Sequence, residues 1–93
     1  MEYDAVVRFL SKEEGGRHNP PLAGYHPQLR IGDIFTSAVI MPKNDNNEVM
    51  GFGIEHNVTI RLMLEDYYGK YIYSGMAIEL YEGSWLIGVG KFF

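Results

Sequence analysis

The sequence contains no cysteine, which excludes disulfides and thiolate metal sites and gives no sign of an oxidising compartment. No apolar run approaches the length of about 20 residues that a membrane-crossing helix requires. No window of a dozen residues keeps helical spacing, so a helical bundle is excluded as well. The opening Met1-Glu2-Tyr3-Asp4 is acidic and polar, and no signal peptide is expected from it. Cations are also short: eight Lys and Arg stand against twelve Asp and Glu, for a net charge of −4. Residues 1–30 balance four bases (Arg8, Lys12, Arg17, Arg30) against four acids, so the whole deficit falls in the remainder. A protein that neutralises several phosphates needs clustered cations to release counterions, and this chain has no such cluster. It also lacks a Gly-x-x-x-x-Gly-Lys-Ser/Thr loop, so no nucleotide hydrolysis is expected.

What the 93 residues do contain is a series of short β-forming segments, with room for one hydrophobic core and a single domain. Ala5 to Leu10 reads as a first strand. Leu29 to Ile34 alternates as a half-buried strand, and Phe35 to Met41 continues as an apolar run stopped by Pro42. Pro42 to Asn47 is a surface loop by composition, and Gly51 and Gly53 mark a bend. Asn57 to Leu64 alternates, with Val58, Ile60, Leu62 and Leu64 on one side. Glu65 to Lys70 connects to a further alternating segment, Tyr71 to Tyr81, and Glu82-Gly83-Ser84 fits a tight hairpin. Trp85 to Phe93 closes the chain, with Gly88 and Gly90 on the face opposite Ile87 and Val89; such glycines mark a barrel corner or a close backbone approach. Six or so strands at short intervals argue an all-β barrel or sandwich.

The segment that fits neither strand nor helix is the long 11–28 loop. It is rich in Gly and Pro and carries Arg17, His18, Tyr25, His26 and Gln28. Loops beyond about a dozen residues in a compact domain are commonly functional. Gly15-Gly16-Arg17 suggests an anion-binding nest, but no helix follows it, and a glycine turn is the plainer reading. His18, His26 and His56 could ligate a metal only by converging with carboxylates such as Glu13 and Glu14, and their spacing matches no ligand motif. A Ser11, His18 and Asp33 triad can be drawn, but no strained nucleophile turn supports it. Neither metal, cofactor nor catalysis is therefore expected. Tyr67, Tyr68, Tyr71 and Tyr73 surround one connection, read as cross-strand packing or as a patch for self-association. Trp85, just after a hairpin, is either packed at a barrel end or an interface anchor.

Leu10-Ser11-Lys12-Glu13-Glu14-Gly15-Gly16-Arg17-His18, followed by Gly24-Tyr25-His26-Pro27-Gln28, resembles the opening of the C-terminal β-barrel domain of translation elongation factor Tu. Thr36, Pro42 and Val58-Thr59-Ile60 fall where that family has similar residues. Ala77-Ile78, Glu82-Gly83, Gly88 and Gly90 resemble its closing hairpin, so the likeness covers essentially the whole chain. The resemblance implies a six-stranded antiparallel β-barrel. In the full-length factor this barrel follows a GTPase domain and a second barrel, and it contacts the aminoacyl-tRNA T-stem, the GTPase domain and the exchange factor. Here Met1 stands directly before the first strand, so a single barrel of residues 1–93 without a GTPase domain is expected. The cationic positions of the family depart: Ala23, His26 and Trp85 stand where it has Lys, Arg and Arg. Losing three possible phosphate contacts should remove most of the electrostatic affinity for a tRNA stem.

The expectation is thus a cytoplasmic, non-enzymatic interaction module that binds a protein partner, a translation component or GTPase-like protein, with no membrane association. Arg17, His18, Tyr25, His26, Gln28 and Trp85 are its candidate partner-facing residues. Weak tRNA or rRNA binding through Arg8, Lys12, Arg17 and Arg30 is one alternative. A small-ligand binder or enzyme, with a pocket near His18 and Glu13, is another.

Overall fold

A computed structural model describes residues 2–43, 49–63 and 69–93. Six strands account for most of them: β1 (Glu2–Phe9), β2 (Gln28–Ile31), β3 (Ile34–Pro42), β4 (Glu55–Leu62), β5 (Ala77–Glu82) and β6 (Trp85–Phe92). They form a closed barrel in the order β1-β4-β3-β2-β5-β6, with every neighbour antiparallel. Closure between β6 and β1 removes the open edge that a flat sheet would leave unpaired. The expected all-β, six-stranded antiparallel barrel is therefore the observed architecture. Among the described residues no helix is long and apolar enough to cross a membrane.

The core follows from period-two alternation. Ala5, Val7 and Phe9 of β1, Ala38 and Ile40 of β3, Val58, Ile60 and Leu62 of β4, and Ile78 and Leu80 of β5 all point inward and are buried. Val58, Ile60 and Leu62 share a face, as their spacing predicts; Leu64 and most of the 65–70 connection lie outside the described residues, as do residues 44–48 of the Pro42–Asn47 loop. His56 joins that inward face of β4. It is a buried strand residue whose Nε2 lies 2.8 Å from the Gly51 carbonyl. Thr36 is the other buried polar side chain among the described residues, and its hydroxyl has no hydrogen-bond partner.

Three sequence expectations are corrected. Leu29 to Ile34 is not one strand: Ile31 pairs with Ile34 across a two-residue Gly32-Asp33 turn, with Gly32 at φ 58°. Alternation carries on across such a turn, so the period alone hides it. Tyr71 to Met76 is not strand either. Gly69–Tyr71 is a single 3₁₀ turn, and Met76 N–H bonds the Tyr73 carbonyl at 3.1 Å, so β5 begins only at Ala77. Third, Ile87 and Gly88 do not face opposite ways. The register shifts so that Leu80 pairs with Gly88 but Tyr81 with Leu86, leaving Ile87 as an extra residue, and both Ile87 and Gly88 turn to the core. Such bulges bend a strand and raise its twist.

The close approach expected of the glycines in β6 is present. A Cβ on Gly90 would lie 1.9 Å from the Val6 carbonyl oxygen, so β1 and β6 can meet there only without a side chain. The Gly83-Ser84 hairpin between Glu82 and Trp85 also forms as expected.

Candidate functional site

The strand registers bring the loop between β1 and β2 to the same barrel end as the β5–β6 hairpin. The Gly32-Asp33 turn and the 69–76 segment lie at the other end.

The loop begins with an ordered turn that composition concealed. Lys12–Glu14 is one 3₁₀ turn, started by Ser11 and ended by Gly15. Ser11 N–H and Oγ both donate to the Glu14 carboxylate, at 3.1 and 3.3 Å. This is the Ser-x-x-Glu logic of a capping box. The Ser11 amide, and then Arg8 at 3.1 Å, hold the Glu14 carboxyl below the usual carboxylate range. Gly15 N–H bonds the Lys12 carbonyl at 3.0 Å and Gly16 N–H the Ser11 carbonyl at 2.8 Å. With both amides spent inside the turn, the glycine pair offers no anion nest and is a glycine turn. Gly16 is required for packing: a Cβ there would fall 2.1 Å from the Leu10 carbonyl oxygen.

Beyond the turn the loop is stitched to its surroundings. Leu10 N–H bonds the Ile87 carbonyl at 2.9 Å and Met50 N–H bonds the Pro21 carbonyl at 2.8 Å. Gly24 N–H and Ile40 N–H exchange bonds with the Ile40 and Tyr25 carbonyls at 2.9 and 2.8 Å, so residues 24 and 25 extend the line of β2 along β3.

The side chains then converge on Glu82, at the end of β5. One of its carboxylate oxygens accepts from both Arg17 Nη1 and the Tyr25 hydroxyl, across 65 and 57 residues of sequence. Arg17 is held from two further sides. Its Nε donates to the Asn19 carbonyl at 2.9 Å, and its guanidinium lies 4.7 Å from the centre of the Tyr25 ring. Stacking of this kind is favourable for the ring quadrupole. The Tyr25 ring packs edge-on against buried Phe9 at 5.9 Å. Burial, and then the hydrogen bond to Glu82, push the Tyr25 phenol above its ordinary range. Burial works against the Arg17 charge, but Tyr25 and Glu82 outweigh it and leave its pKa raised.

Trp85 stands opposite Glu82 across the two-residue hairpin and is 61% exposed. His18, His26 and Gln28 are exposed at this same end. Of the six residues singled out from sequence, Arg17 and Tyr25 are thus half-buried parts of one cluster, and Trp85 borders it. The other three lie on the surface nearby, and neither histidine ring bonds another described residue. The residue that sequence reasoning missed is Glu82. Its place in the Glu82-Gly83 pair marked a turn, and nothing local tied it to a loop more than fifty residues earlier.

Other arrangements considered from sequence are distributed differently. Asp33 sits at the far barrel end from Ser11 and His18, and Ser11 Oγ is engaged by Glu14, so the drawn triad is not assembled. Among the described residues no group of three or more His, Asp or Glu could hold a metal ion. Two open surface grooves, one of about 510 Å³ lined chiefly by β1, β3 and β4 and one of about 340 Å³ beside Arg30 and Tyr73, do not reach His18 or Glu13. Every arginine is paired with a carboxylate: Arg8 with Glu14, Arg17 with Glu82, Arg30 with Glu79, Arg61 with Glu2. Tyr71 and Tyr73 are exposed at the end remote from the loop, while Tyr67 and Tyr68 lie outside the described residues. No protein-family model matches the sequence.

Proposed function

We propose that this chain is a non-enzymatic interaction module, related to the C-terminal barrel of elongation factor Tu, that binds a protein partner through the 11–28 loop. His18, His26, Gln28 and Trp85 face the partner, and Arg17 and Tyr25 hold the loop in the shape that presents them. The observation that carries this reading is the Arg17–Tyr25–Glu82 cluster, which fixes a long polar loop beside an exposed tryptophan. Exposed aromatic anchors on a preorganised surface suit protein recognition, because little ordering entropy is lost on binding. The partner is a translation component or a GTPase-like protein, and the setting is the cytoplasm. RNA is disfavoured: the chain carries a net charge of −4 and its arginines are dispersed beside carboxylates rather than clustered, so few counterions would be released on binding.

Affinity capture from lysate with the wild type and with a His26→Ala, Trp85→Ala double variant tests this. Both changes are on exposed side chains and leave the Glu82 cluster in place. Retention of a translation factor or GTPase by wild type alone is the expected result. Recovery of tRNA by both baits, or identical protein sets, would contradict it.

A further inference from the structure

Two hydrogen-bond donors converging on one carboxylate oxygen, both braced by other contacts, constitute more than a surface ion pair. Arg17 is oriented by the Asn19 carbonyl and by the Tyr25 ring, and Tyr25 is oriented by Phe9. None of these braces involves Glu82, so when the Glu82 carboxylate is taken away the loop loses its tie to the hairpin but both donors keep contacts that orient them toward the vacated position. Glu82 itself comes from a separate element, the β5–β6 hairpin, and its side chain is about one-third exposed. Exposed Trp85 stands directly across that hairpin.

We propose that Arg17 and Tyr25 form a binding site for a carboxylate, filled in the free barrel by the chain's own Glu82. An acidic side chain of a partner enters by taking the place of Glu82, with Trp85 at the rim of the contact. This rests on the reading of the 11–28 loop as the partner-facing surface, but the site can be tested without a partner. Glu82 is tethered nearby and acts at high effective concentration, so a free carboxylate cannot compete with it. When that tether is removed, the same carboxylate finds the site open.

The probe is sodium acetate, and the readout is the rate of tryptic cleavage after Arg17 in the otherwise native barrel. Glu82→Ala is expected to raise that rate about tenfold, as loss of a charge-assisted bond frees the segment. Acetate should return the rate of Glu82→Ala toward wild type in a saturable way, whereas sodium chloride at equal ionic strength should not. The wild type should respond to neither salt, which also controls for effects on the protease. Adding Tyr25→Phe to Glu82→Ala should abolish the acetate effect. Glu82→Gln serves if the alanine variant folds poorly: its neutral amide oxygen fills the space and accepts the same donors without charge assistance, so cleavage rises less than in Glu82→Ala and acetate gives no protection. Wild-type cleavage rates in Glu82→Ala, or equal protection by chloride and acetate, would overturn the proposal. Either result would leave the capture experiment on His26 and Trp85 to stand or fall by itself.

Discussion

The barrel contains the same three-residue chemistry twice, in two very different settings. At the loop end, Arg17 and Tyr25 donate to Glu82. On the outer face of β2 and β5, Arg30 Nη1 and the Tyr81 hydroxyl donate to one oxygen of Glu79, at 3.1 and 3.0 Å. The second set sits on strands already joined by the backbone ladder, since Arg30 and Glu79 are opposite one another in the register. Its side chains are some two-fifths exposed, and exposed pairs contribute little because water and salt screen them. The first set joins a loop to a hairpin, and its tyrosine packs on the core. Identical donors and acceptors therefore carry different weight. The deciding factor is what else holds the residues together.

The largest effect should come from the root of the loop. Gly16→Ala would force a Cβ into the Leu10 carbonyl, and a backbone clash of this kind is expected to cost about 3 kcal/mol. Chemical denaturation would show a lowered midpoint with an unchanged slope. Next in size, Glu82→Ala should cost about 2 kcal/mol, because it leaves a half-buried guanidinium and hydroxyl without their acceptor. Glu79→Ala should leave both the melting temperature and loop protection near wild type. Equal losses from the two glutamate variants would erase the distinction between the clusters.

Tyr25 sharpens the comparison through pH. Its phenol is raised above the ordinary value by burial and by Glu82. The unfolded chain loses this proton near pH 10, while the folded barrel retains it to higher pH. Stability from this group is therefore complete below about pH 10 and is lost as pH rises through the folded pKa. Tyr25→Phe should cost about 1 kcal/mol at neutral pH and flatten the alkaline fall. Titration by absorbance of tyrosinate should show one phenol ionising later than the rest in wild type and not in the variant.

The barrel was legible because its interior obeys a local rule. Val58, Ile60 and Leu62 alternate with Thr59 and Arg61, and Ile78 and Leu80 alternate with Glu79, so each strand declares its buried face. Local rules also misled. Alternation ran through the Gly32-Asp33 turn, and it also suggested strand between Tyr71 and Met76, where Gly75, at φ 84°, turns the chain. The 3₁₀ turn at Lys12–Glu14 was encoded by Ser11 and Glu14 but lay hidden among glycines and charges. The loop's importance could be read from its length and composition. Its mechanism could not, because Glu82 reaches it only after the barrel has closed.

The most direct test is hydrogen exchange of individual backbone amides in wild type and Glu82→Ala. The Arg17, Gly24 and Tyr25 amides donate to the Leu10, Ile40 and Leu22 carbonyls, at 3.1, 2.9 and 3.0 Å. Their exchange should quicken about tenfold in the variant, while the Val58 and Ile60 amides of β4 remain as slow as in wild type. Unchanged exchange at all five, or a uniform rise across loop and barrel, would contradict the claim that Glu82 holds this loop in place.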